Sequence, residues 1–136
     1  MQIYPAVLYV EDDALSCEIM RLLLQGEMQL QHVTIFQDSA DFMARAQALT
    51  PRPDVILLDI HVKPHTGFDM LAMLRSQPAW EDVPVVALTA SVMNEEVQQL
   101  RAAGFNGVIS KPIDQDYFAA LLARILHGEA IWHVMD

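Results

Sequence analysis

Pro53-Asp54-Val55-Ile56-Leu57-Leu58-Asp59 decides how the rest of the chain is read. Its four consecutive apolar residues, two of them β-branched, suit a strand covered on both faces and are too short for a typical helix. The run ends on a carboxylate. In a parallel sheet the carboxyl ends of the strands line the ligand crevice, which puts Asp59 where chemistry is usually done. Three more apolar runs end in polar groups: Val7-Leu8-Tyr9-Val10 in Glu11-Asp12-Asp13, Val85-Val86-Ala87-Leu88 in Thr89, and Val108-Ile109-Ser110 in Lys111-Pro112.

Between these strands the apolar spacing turns helical. Ala14 to Met28 carries Leu15, Ile19, Leu22 and Leu23, with Asp13 as N-cap and Gly26 weakening the far end. Val33 to Phe36 is a short second strand. A helix starting at Asp38 or Ser39 runs to about Leu49, where Pro51 and Pro53 stop it. Phe68 to Leu74 forms the next helix and Val92 to Ala103 the one after, capped by Gly104. Strand four starts near Val83 and tolerates Pro84 at its beginning. Asn106-Gly107 turns the chain into strand five, and the last helix begins near Asp114, shows Phe118, Leu121, Leu122 and Ile125, and stops at Gly128. Alternating strands and helices with right-handed crossovers make a doubly wound α/β fold with helices on both faces of a parallel sheet. The tail from Glu129 to Asp136 contains Trp132, which folds back on the body or meets a partner; the sequence does not choose.

The chain has 136 residues, a one-domain length, and is 53% hydrophobic, which argues against disorder. Its 18 acids against 8 bases give a formal charge of -10, which repels nucleic-acid phosphates. Nothing before the first strand resembles a signal peptide, and no apolar run is long enough to cross a bilayer. The single cysteine, Cys17, cannot form an internal disulfide and reads as a small helix residue; the expected setting is the cytoplasm.

In a parallel sheet Glu11, Asp12, Asp59, Thr89 and Lys111 converge on one edge. Carboxylates gathered there without compensation raise one another's pKa values, and a hard divalent cation such as Mg2+ relieves the repulsion. Glu11-Asp12-Asp13 alone reads equally well as a solvated loop or helix cap, and Asp13 looks more like the cap than a ligand. Asp59 is a turn acid or a nucleophile toward phosphorus, forming an acyl phosphate. Lys111 is one of only two lysines, with Lys63, and ends an apolar strand where a solvating ammonium is not specially needed. Thr89 either donates to a phosphoryl oxygen or caps the next helix. His61 and His65 do not make a convincing zinc set, and no serine elbow, Walker loop or dinucleotide glycine fingerprint is present.

Over residues 6 to 127 this pattern resembles the receiver domain of bacterial two-component response regulators. The resemblance rests on Val10-Glu11-Asp12, Leu58-Asp59, Gly67 eight residues later, Leu88-Thr89-Ala90 and Lys111-Pro112, in that order and spacing. It implies a flavodoxin-like (βα)5 three-layer sandwich with a parallel five-stranded sheet of order 2-1-3-4-5, spanning residues 1–128, with 129–136 as a C-terminal tail. It further implies that Asp59 accepts a phosphoryl group from a phosphohistidine on a sensor histidine kinase or histidine phosphotransfer protein. Asp12 and Asp59 side chains and the His61 backbone carbonyl would ligate Mg2+, Glu11 would act through water, and Thr89 and Lys111 would engage the phosphoryl group. The chain would not be a separate enzyme. It would signal to a downstream protein or pass the phosphate on, and no output domain is expected after Asp136; the amphipathic residues of the fourth and fifth helices suit a homodimer or client surface and equally suit core packing, Leu100, Phe118 and Leu121 above all. The rival readings are a degenerate receiver acting as a constitutive interaction module, a Mg2+-dependent phosphohydrolase and, more remotely, a flavin-binding protein.

The sequence departs from the family pattern in places. Lys63 stands where proline is usual after the acceptor, with Pro64 following, and Thr66 replaces a common acid before Gly67. Val108 replaces the aromatic residue of strand five, so it is expected to be ordinary core rather than an aromatic switch. His61 and Ser91 occupy positions that tune phosphate hydrolysis in the family.

Overall fold

The computed structural model describes residues 5–91 and 93–132. Five strands alternate with five helices: β1 (Val7–Val10), α1 (Ala14–Arg21), β2 (Val33–Phe36), α2 (Phe42–Gln47), β3 (Val55–Asp59), α3 (Gly67–Arg75), β4 (Val85–Thr89), α4 (Asn94–Ala103), β5 (Gly107–Ser110) and α5 (Phe118–Leu126). A sixth strand, β6 (Ile131–Trp132), follows, and the sheet order is β2-β1-β3-β4-β5-β6 with every pairing parallel. The expected doubly wound fold is present, with one strand more than the resemblance implies.

Alternation along the strands sends side chains to two cores. Leu8, Val10, Ile56, Leu58, Val85 and Ala87 pack with Phe42, Met70, Leu74 and Leu100 under α2, α3 and α4. Val7, Tyr9, Val55, Leu57, Val86 and Leu88 pack with Met20, Leu24, Phe118 and Leu122 under α1 and α5. Both faces of β3 are covered, so all five of its residues are buried, which is why its sequence is a continuous apolar run. Val108 is fully buried in the first core, as expected of a residue that is simply packed.

Local chemistry moves several helix ends from where spacing puts them. Asp38 does not start α2: its carboxylate accepts from the Ala40 N–H at 3.0 Å and from Arg45 at 2.9 Å, and Asp41 sits at φ 50°, outside helical geometry, so the helix begins only at Phe42. Asp114 closes a single turn, its carbonyl accepting from the N–H groups of Tyr117 and Phe118, and α5 starts at Phe118. The first helix changes to wide π-type turns over Leu22–Glu27, with the Met28 N–H bonded to the Leu23 carbonyl. Its buried residues are Cys17, Met20, Leu23 and Leu24, with Ile19 half-buried against the same core, whereas Leu15 and Leu22 are 67% and 61% exposed; of the four residues chosen by apolar spacing, Ile19 and Leu23 meet the core and the other two face solvent. The expected start of α4 at Val92 lies outside the described residues.

The tail folds back. Ile131 and Trp132 pair with Gly107 and Val108, and a Cβ at Gly107 would sit on the Ile131 carbonyl oxygen, so only glycine admits this strand. The Arg101 guanidinium of α4 lies 4.9 Å from the centre of the Trp132 ring. Residues 133–136 of the tail lie outside the described residues.

Candidate functional site

Register places the polar strand ends side by side. Val10 pairs with Leu58, so Glu11 and Asp59 leave the sheet as neighbours, and Thr89 pairs with Ser110, the residue before Lys111. Glu11, Asp59 and Thr89 are nearly inaccessible, at 0%, 5% and 4% exposure, whereas Asp12 is exposed. Carboxylate oxygens of Glu11, Asp12 and Asp59 lie within 4.8 Å of one another. Asp13 stays apart as the cap of α1: its Oδ2 accepts from the Ser16 N–H at 2.8 Å and the Ser16 hydroxyl at 2.7 Å.

Lys111 supplies the one cation at the cluster among the described residues. Its Nζ donates to Glu11 Oε1 at 2.7 Å and lies 3.7 Å from Asp59 Oδ1. Burial disfavours the ammonium, but the bond to Glu11 and the charge of Asp59 outweigh it and hold the Lys111 pKa above its ordinary value. The Glu11 pKa is raised, first by burial and then by Asp59, against the opposing pull of Lys111 and Tyr9. The cis Lys111–Pro112 bond follows directly.

The neighbouring loops complete the site. The His61 N–H points to Asp59 Oδ1 at 3.3 Å, and the Ser91 N–H donates to Thr89 Oγ1 at 3.1 Å. His61 itself is exposed. With Thr89, Ser91, Phe68 and Leu100 it lines a cleft of about 320 Å³. Gly67 lets α3 start hard against β3, since a Cβ there would lie 2.8 Å from Ile60 Cδ1 and 3.3 Å from the Asp59 carbonyl oxygen. Thr66, in the place of an acid, caps that helix in a reciprocal pair with Asp69.

Two contributors escaped sequence reading. Tyr9 donates its hydroxyl to Glu11 Oε1 at 2.8 Å, a contact foreshadowed by its position on β1 two residues before Glu11. Ser39 is fully buried; its Oγ donates to the His65 carbonyl at 2.7 Å and accepts from the His65 N–H at 2.6 Å, tying the loop before α2 to the loop after Asp59. No local pattern announces that bond, because its partner lies 26 residues away.

Hard oxygen donors gathered this closely, only partly neutralised by one lysine, suit a small divalent cation. Fold and site together define an α/β protein of flavodoxin-like topology with an acidic, cation-compatible cluster at the carboxyl edge of its sheet. The response regulator receiver domain family matches residues 7–123, and the chain belongs to it. It is 30% identical over 125 residues to the polar-differentiation response regulator DivK of Brucella anthropi, with 92% of this chain and 98% of that protein covered. It is 33% identical over 121 residues to the sensor histidine kinase AruS of Pseudomonas aeruginosa, covering 88% of this chain but only 12% of the kinase. The chemotaxis response regulator CheY4 of Vibrio cholerae superposes with a TM-score of 0.80 at 27% identity, over 90% of this chain and 99% of that one. Receiver identity and the acid cluster fit phosphorylation and dephosphorylation of the chain's own carboxylate rather than turnover of a separate substrate.

Proposed function

We propose that the chain is a phosphoacceptor switch or relay module in which Asp59 takes a phosphoryl group from a phosphohistidine. The supporting observation is Lys111 Nζ lying between Glu11 and Asp59, at 2.7 and 3.7 Å, beside three mutually close carboxylates. An Asp59 oxygen attacks phosphorus, an acyl phosphate forms, the phosphorus–nitrogen bond breaks, and the imidazole leaves with a proton. Lys111 then turns from the carboxylates to a phosphoryl oxygen and the Thr89 hydroxyl donates to another. Water later attacks phosphorus, the bond from phosphorus to the Asp59 oxygen breaks, inorganic phosphate leaves and the carboxylate is restored. Asp12 and Asp59, with the His61 backbone carbonyl and with Glu11 through water, would hold Mg2+, which when bound offsets the charge gathered on the transferring oxygens.

In this reading residues 1–128 are the receiver domain that carries the chemistry and 129–136 its tail, of which Ile131–Trp132 adds the edge strand. The donor is a sensor histidine kinase or a histidine phosphotransfer protein, and the output is association with a downstream protein or onward transfer of the phosphate. The receiver relatives, one of them within a sensor kinase, support such partners. Among the described residues no helix is long and apolar enough to cross a membrane, and the proposed setting is the cytoplasm.

The test is incubation with acetyl phosphate, with and without Mg2+, read by intact mass. One phosphoryl group is expected only when Mg2+ and Asp59 are both present, and none on Asp59→Asn. Incorporation at another residue, or unchanged incorporation in the variant, refutes the assignment.

A further inference from the structure

Glu11 follows directly on β1, two residues beyond Tyr9, and Tyr9 is 1% exposed. Its hydroxyl and the Lys111 ammonium donate to the same oxygen, Glu11 Oε1, at 2.8 and 2.7 Å. The other oxygen, Oε2, has only a long contact of 3.4 Å from the Asp13 N–H. A fully buried carboxylate thus has one oxygen served twice and the other scarcely at all.

The duplication acquires a purpose once Lys111 has to move. Its Nζ is already 3.7 Å from Asp59 Oδ1, and on the phosphoacceptor reading it transfers to the phosphoryl group formed there. An oxygen of Glu11 deserted by its only donor would stay buried and bare, which costs the full desolvation penalty of that group. A second, neutral donor removes the penalty without adding charge to the cluster. We propose that Tyr9 is a positioning residue: by keeping Glu11 Oε1 hydrogen-bonded after Lys111 leaves, it frees the lysine to serve the phosphoryl group. The inference rests on the phosphoacceptor reading. The phenol suits the task because its ring belongs to the core under α1 and α5, so the donor is held from below and does not follow the lysine.

Tyr9→Phe keeps the ring and removes the donor. Two affinities are measured by titration calorimetry: Mg2+ alone, and beryllium fluoride, a phosphoryl mimic, at saturating Mg2+. Thermal unfolding of both proteins without ligand checks the fold. The expected result is Mg2+ affinity within about twofold of the parent and mimic affinity about tenfold weaker, equivalent to roughly 1.4 kcal/mol. The acetyl phosphate reaction at saturating Mg2+ should slow by a similar factor. Unchanged mimic affinity overturns the proposal. So do equal losses for Mg2+ and mimic, which would mean that Tyr9 only shapes the carboxylate pocket. Failure of the parent protein itself to take up the mimic would instead refute the phosphoacceptor reading, and this inference with it.

Discussion

Replacing Lys111 with methionine keeps most of the side-chain volume and removes the ammonium from between Glu11 and Asp59. Those carboxylates are 0% and 5% exposed, so water cannot stand in freely for the lost cation. Breaking a buried pair by deleting one partner typically costs about 3–5 kcal/mol. The Lys111 side chain retains 21% exposure, which places the expected loss near the bottom of that range, about 3 kcal/mol at pH 7. With a urea m-value of roughly 1–3 kcal/mol/M, the unfolding midpoint should fall by about 1–3 M. The sign with pH follows from Glu11. Its folded pKa is already raised, and Lys111 is one of the groups holding it down, so the variant raises it further. A group whose folded pKa is raised favours folding at low pH and loses that contribution as pH rises through the folded value. The gap between Lys111→Met and the parent should therefore narrow on acidification, as Glu11 takes up its proton, and widen toward neutrality. Urea unfolding followed by circular dichroism, at several pH values without divalent cations, measures it. A variant as stable as the parent at pH 7, or a gap that grows on acidification, would refute the idea that Lys111 neutralises this cluster.

Gly107→Val should unseat β6, because its Cβ meets the Ile131 carbonyl; exposing Ile131 costs about 2 kcal/mol, and the emission of Trp132, read in a Trp80→Phe background, should shift to the red. An unshifted spectrum would contradict the pairing. Ser39→Ala removes both bonds to His65 and leaves that backbone wanting, a loss of about 1–3 kcal/mol, with faster hydrogen exchange at His65 as the direct readout. Burial, followed by the Glu11 charge, raises the Cys17 thiol pKa above its ordinary 9.0. Stability from this group is complete below pH 9.0 and is lost as pH rises through the folded value, so at pH 8 the native thiol should resist iodoacetamide while the urea-unfolded chain reacts readily.

The parallel sheet and its polar edge were legible because their signals are local. Val55-Ile56-Leu57-Leu58 is apolar throughout since both faces are covered; Asp59 and Thr89 end their strands and Glu11 and Lys111 follow directly on theirs, so that reading the strands as parallel already brings the four together. Gly104, at φ 105°, ended its helix where its backbone freedom indicated. The exposed faces were not legible in the same way. Leu15 and Leu22 share the apolar spacing of Ile19 and Leu23, yet only the latter two lie against the core; the packing of Met20, Leu23 and Leu24 on the sheet, not spacing alone, sets which residues are covered.

What the sequence alone determined, then, is the order of strands and helices and which polar groups stand at the carboxyl edge, because period, strand length and turn chemistry act over a few residues. Tertiary structure decided the rest: the sixth strand seated on Gly107, the Ser39–His65 tie, and the sharing of Glu11 Oε1 between Tyr9 and Lys111. Lys111 lies 100 residues from Glu11 along the chain, and only the packed sheet sets how far apart their side chains finally rest.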